Sequence, residues 1–87
     1  MKQNITMSQI LELTDSLEIT IKKVSGVDSY GFCIVNGKKY ILVEKKHSES
    51  QIIRDIAEGL CTLDLDRIYM KPFLRDYLEE VKNYLDK

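Results

Sequence analysis

Apolar positions along this chain change period twice, and the changes mark its elements. Met7, Ile10, Leu11, Thr14 and Leu17 recur at helical spacing, with Ser8 placed to cap the first turn and Met7 to act as a hydrophobic staple. The spacing then drops to two. Leu17, Ile19 and Ile21 alternate with Glu18, Thr20 and Lys22, the pattern of a half-buried strand rich in β-branched residues. "SGVDS" follows with loop chemistry.

The strongest local signal is "YGFCIVNGKKYILVEK". Asn36-Gly37, set between two apolar runs, is the pair that a two-residue type I′ turn demands, because both of its positions need positive φ. That turn predicts a register in which Val35 faces Lys38, Ile34 faces Lys39, Cys33 faces Tyr40, Phe32 faces Ile41 and Tyr30 faces Val43. One face then collects Tyr30, Phe32, Ile34, Ile41 and Val43, expected to pack on helices. The other holds Gly31, Cys33, Val35, Lys38, Tyr40 and Leu42, and is too apolar to be left to solvent without a cover or a partner.

"SESQIIRDIAEGLCTL" restores the helical period. Ser48 and Gln51 make a capping-box pattern, and Glu49 sits in the first turn, where the helix dipole favours a negative charge. Ile52, Ile53, Ile56, Leu60 and Leu63 form the apolar stripe, with Ala57 and Cys61 beside it. "DLDRIYMK" reads as a connector anchored by Leu65, Ile68 and Met70. Pro72 suits the first position of a last helix, whose stripe is Leu74, Tyr77, Leu78, Val81 and Leu85, flanked by Phe73 and Tyr84. The expected fold is α+β in the order α-β-β-β-α-α, with a three-stranded antiparallel sheet packed by helices.

Length adds that residues 1–87 make one domain, since two would leave neither a core. Composition, at 44% hydrophobic and 31% charged, excludes a disordered or low-complexity chain. No apolar run approaches the roughly 18–20 residues that span a bilayer, so no membrane association is expected. The N-terminal residues lack the apolar core and cleavage site of a signal peptide. With Cys33 and Cys61 lacking metal-type spacing, the expectation is a cytoplasmic protein with reduced thiols. Net charge is −1 but uneven: −2 over residues 1–18, +4 over 19–47 and −3 over 48–87.

The basic middle consists of Lys22-Lys23, Lys38-Lys39 and Lys45-Lys46, a candidate basic patch. A nucleic-acid binder would gather such lysines on one surface beside stacking aromatics. Tyr30 and Tyr40, however, point to opposite faces in the register above, and lysines at strand ends often serve to keep edges from pairing. Nucleic acid is therefore the alternative reading, behind a protein partner or self-association. The second helix invites a zinc reading, but Ala57-Glu58-Gly59-Leu60-Cys61 offers at most one metal donor besides the acid, and His47 precedes the helix. Glu58 is better placed to pair with Arg54 one turn back. Neither thiol has the setting that activates one: Cys33 is mid-strand, and Cys61 lies near a helix C-terminus. No catalytic constellation, metal site or cofactor is expected.

Two resemblances follow from these residues. The hairpin feeding a helix with Glu58 resembles, without its ligands, the core of the small bacterial zinc peptidases that cleave repressors, which implies a peptide-binding domain without cleavage. Over about two-thirds of the chain, Gly31, Cys33, Gly37, Lys38, Asp64, Leu65, Ile68, Tyr69, Pro72, Arg75 and Asp76 resemble a family of short bacterial proteins of unknown function. That resemblance implies a small cytoplasmic bacterial domain and brings no activity. The expectation is a non-catalytic interaction module, with Cys33, Val35, Tyr40 and Leu42, together with Arg67, Tyr69 and Arg75, as its candidate surface.

Overall fold

A computed structural model of the chain describes residues 5–85. Three helices and three strands follow in the expected order: α1 (Met7–Ser16), β1 (Ile19–Val24), β2 (Gly31–Val35), β3 (Lys38–Glu44), α2 (Glu49–Leu60) and α3 (Pro72–Leu85). The fold is α+β. No helix among the described residues is long and apolar enough to cross a membrane.

Local capping chemistry sets the helix starts. α1 begins two residues earlier than a cap at Ser8 predicts. Thr6 is the N-cap, its hydroxyl accepting from Gln9 N at 3.2 Å while the Gln9 side chain accepts from Thr6 N at 3.0 Å. This reciprocal box satisfies two otherwise orphaned backbone donors, which a cap at Ser8 would not. α2 starts as expected, with Ser48 Oγ accepting from Gln51 N at 3.3 Å. The Gln51 side chain does not close the box, however; it donates to Asp55 Oδ1 at 2.9 Å.

The hairpin register matches the turn chemistry from Gly31↔Leu42 to Val35↔Lys38, and both turn residues have positive φ, Asn36 at 51° and Gly37 at 80°. The sheet is mixed, which corrects the antiparallel expectation. Strand order is β1-β3-β2, and β1 runs parallel to β3 in the register Ile19↔Lys39 to Val24↔Glu44. The physical reason lies in the connection. Residues 25–30 cross the end of the β3 position, about 10 Å at two strand spacings. The hairpin then returns β3 into the gap. β3 belongs in the centre because Ile41 and Val43, both fully buried, need helix cover on one face and strands on either side.

The core is built from Ile10 and Leu13 of α1, Ile19 of β1, Ile41 and Val43 of β3, and the α2 stripe of Ile52, Ile53, Ile56, Ala57 and Leu60. Met70 of the connector and Leu74, Leu78 and Val81 of α3 complete it. α2 is the keystone. It touches β2, β3, α1 and α3, whereas α3 packs chiefly on α2.

Two residues expected on the helix-packed face are not covered. Ile34 is 61% exposed, because it lies toward the hairpin tip beyond the helices. Tyr30 is outside β2 and 44% exposed: Gly31 at φ 108° turns the chain out of the strand, and the two-residue alternation ends there.

α2 approaches β3 at Gly59, where a Cβ would lie 3.1 Å from the side chain of fully buried Ile41. Gly59→Val should therefore lower the unfolding free energy by about 1–3 kcal/mol through overpacking. The gain in helix propensity over glycine is only a few tenths of a kcal/mol. Urea titration checks this, and an unchanged or higher midpoint would show that the helix does not press on Ile41.

Candidate functional site

All three helices lie on one side of the sheet, so its other face carries no element among the described residues. Strand parity assigns that face. Since Ile41 and Val43 point into the core, Lys38, Tyr40, Leu42 and Glu44 of β3 point away, together with Thr20, Lys22 and Val24 of β1 and Gly31, Cys33 and Val35 of β2. The paired rows run Thr20–Tyr40–Cys33 and Lys22–Leu42–Gly31, with Val35 beside Lys38 toward the tip. Tyr40, Leu42, Cys33 and Val24 are half-buried, and Val35 is 50% exposed. Lys22 lays its Nζ 5.6 Å from the Tyr40 ring centroid, so its stem covers part of the ring while its charge stays in water.

The lysine doublets do not form one patch. Alternate strand residues face opposite ways, so each doublet within a strand is divided between the faces. Lys22 and Lys38 lie on the open face, whereas Lys23 and Lys39 belong to the helix side. Lys39 Nζ donates to Leu17 O at 3.5 Å, tying it to the end of α1. Lys45 and Lys46 lie in the turn after β3. The open face keeps one aromatic and two lysines, with Glu44 at one end.

Arg67, Tyr69 and Arg75 lie elsewhere, on the α2–α3 side. Arg75 is half-buried, and its Nη2 donates to Ile68 O at 2.6 Å and lies 3.5 Å from Leu65 O, so it ties down the connector. It lines a groove of about 280 Å³ between α2 and α3 with Cys61, Leu65, Met70 and Leu78. Asp64 closes the connector's turn by accepting from Asp66 N at 3.2 Å. Arg67 and Tyr69 are exposed, Tyr69 at 85%. The fold thus separates the two halves of the predicted surface.

Two polar clusters escape sequence reasoning. In the first, Glu44 gathers both ends of the β1–β2 connection. Ser25 Oγ and Tyr30 Oη each donate to its carboxylate at 2.6 Å, and Lys46 N donates at 3.1 Å. These bonds hold the Glu44 carboxyl well below its ordinary value, at about 2, and the same contact raises the Tyr30 phenol. In the second, His47 Nδ1 lies 2.7 Å from Asp55 Oδ2 across the start of α2. Their sequence separation of eight residues, with His47 in a turn, gave no periodic signal.

A groove of about 540 Å³ runs between β2 and α2, lined by Phe32, Glu44, His47, Asp55, Glu58 and Thr62 among others. The Thr62 hydroxyl there donates to Gly59 O at 2.7 Å. Glu58 pairs with Arg54 as its spacing predicts, at 3.4 Å. That contact is ionic only, because among the described residues the Arg54 Nε finds no hydrogen-bond acceptor. The Arg54 guanidinium also stacks 4.7 Å from the centroid of Tyr84. Among the described residues, no three His, Cys, Asp or Glu side chains converge as metal ligands would. Neither cysteine is in a disulfide, and Cys61 Sγ donates to Leu78 O at 3.3 Å.

No protein-family model, no curated protein and no solved structure matches the chain.

The Glu44 cluster makes a pH prediction. A carboxyl whose pKa falls on folding contributes stability that is fully present above its unfolded value and is lost as pH falls through the folded value. The loss here runs from near 4.5 down to about 2. A carbon-detected NMR titration should place the folded Glu44 midpoint near the lower figure, and Tyr30→Phe should raise it. A midpoint near 4.5 in the unaltered protein would mean that the cluster does not form.

Proposed function

We propose that this chain is a non-catalytic protein-interaction module that docks through the open face of its sheet. One observation carries the reading: Cys33, Val35, Tyr40 and Leu42 sit side by side on a face that no helix covers, while the core is already closed on the other side. Contiguous apolar surface of this kind on a small domain marks an interaction site more often than a solvated wall. The charged residues fit such a role. Lys22, Lys38 and Glu44 stand around the apolar strip rather than across it, in the arrangement of a dry centre with a polar rim. Nucleic acid is less well served, since the two strand doublets divide between faces and Tyr40 is the one strand aromatic on the open face.

The reading is tested by placing a photo-activated benzoylphenylalanine at position 40 in cells that make the protein. The expected outcome is a cross-link to protein. Leu42→Lys should abolish that cross-link while leaving the thermal midpoint within a few degrees, because the replaced side chain is only half-buried. Cross-links to nucleic acid would transfer the assignment to the lysine reading. No adduct with any macromolecule would remove the reading altogether.

A further inference from the structure

The two edges of the sheet are not alike. β1, at one edge, carries Lys22 and Lys23, and charged edge residues are the usual guard against strand addition. β2, at the other, reads Gly-Phe-Cys-Ile-Val, with no charge, no proline and no bulge. In a two-residue hairpin the residues flanking the turn exchange both hydrogen bonds, and the ladder then alternates. Val35, Cys33 and Gly31 therefore spend their backbone groups on β3, while Phe32 and Ile34 direct theirs outward. Among the described residues, no hydrogen bond from another element reaches Phe32 or Ile34. An apolar strand with free outward donors and acceptors is a template for a further strand.

We infer that the free edge of β2 pairs antiparallel with the same edge of a second copy, about a two-fold axis through Cys33, joining two three-stranded sheets into one of six. This rests on the interaction-module reading and names its partner.

Three features of the strand select a second copy. Outward-directed residues must face outward-directed residues, which leaves axes at residue 32, 33 or 34, and only the axis at Cys33 overlaps all five strand residues. In that register Phe32 and Ile34 of one copy face Ile34 and Phe32 of the other, so the 61%-exposed Ile34 gains an aromatic neighbour. On the open face, Val35 of each copy meets Gly31 of the other. Nothing lies within 4 Å of the Cβ position at Gly31, so there is room for the half-exposed valine. Size fits size around the axis. Pairing also runs the Tyr40, Leu42 and Cys33 strip of one copy into that of its mate, doubling the apolar face.

The geometry supplies its own reporter. Cys33 and its symmetry mate form a non-hydrogen-bonded pair with Cα atoms about 4.5 Å apart, the closer of the two antiparallel spacings. That lies inside the range a disulfide accepts, about 4.4–6.8 Å. Diamide, which takes up the two thiol hydrogens as it is reduced, should then convert the full chain to a dimer linked Cys33 to Cys33 in peptide maps.

Light scattering from micromolar to millimolar concentration should show the mass rising toward twice 10.1 kDa. Amide exchange at Phe32 and Ile34 should slow over the same range. Ile34→Pro removes an outward donor and leaves the β2–β3 ladder intact; it should restore the monomer mass and prevent the cross-link. Ile34→Lys, which puts a charge on the edge at an exposed position, should do the same and decides the matter if the proline variant does not fold.

A chain that stays monomeric at millimolar concentration overturns the inference, as does a dimer indifferent to both Ile34 variants. In the latter case, loss of the dimer on Leu42→Lys would keep the interaction-module reading and move the contact from edge to face. A protein cross-link at position 40 to a different chain from a monomeric protein would do likewise.

Discussion

Everything in this fold turns on the seat of Ile41 beneath Gly59. The glycine lets α2 descend until its backbone rests on the Ile41 side chain, and Ile41 is left with no exposure. Because side chains alternate along a strand, burying that one residue commits all of β3. Val43 must go inward with it, and Lys38, Tyr40 and Leu42 must go outward. A slip of one position would exchange the two sets, putting Tyr40 under the helix and turning Ile41 and Val43 out to the open face. The identity of the open face is thus a consequence of how the closed face packs.

How much was legible beforehand depended on how local each signal was. The hairpin register was readable because Asn36 and Gly37 specify their own turn without reference to the rest of the chain. The stripes of α2 and α3 were readable for a similar reason: Ile52, Ile56 and Leu60, and Leu74, Leu78 and Val81, repeat within a few turns. Strand order was not. Whether β1 lies beside β2 or beyond it depends on how residues 25–30 cross the sheet, and the period of Ile19 and Ile21 is the same in either case. The cap at Thr6 was missed because Ser8 offers the same hydroxyl two residues on, and only the reciprocal bond to Gln9 separates them. Of the predicted surface, Cys33, Val35, Tyr40 and Leu42 were found together by alternation. Their supposed companion Arg75 was not, because its partners are backbone carbonyls that carry no sequence signature.

The Glu44 cluster and the mixed topology belong together. A chain that skips over a strand position needs both ends of its crossing held, and the carboxylate at the end of β3 binds Ser25 at one end and Tyr30 at the other. Gly31, just past Tyr30, supplies the backbone turn that readmits the chain to the sheet. Three residue types with unrelated propensities thus cooperate on one geometric task, far from the hydrophobic centre.

Threading order carries a last implication. Among the described residues, β1 finds its only sheet neighbour in residues 38–44, which a ribosome adds about twenty positions later. The nascent segment must therefore wait, its backbone donors and acceptors satisfied by water, until the hairpin has been made and can be slotted in alongside. Parallel pairing at such a distance is slow to nucleate. Charge at Lys22 and Lys23 on that strand disfavours its pairing with other chains in the interval.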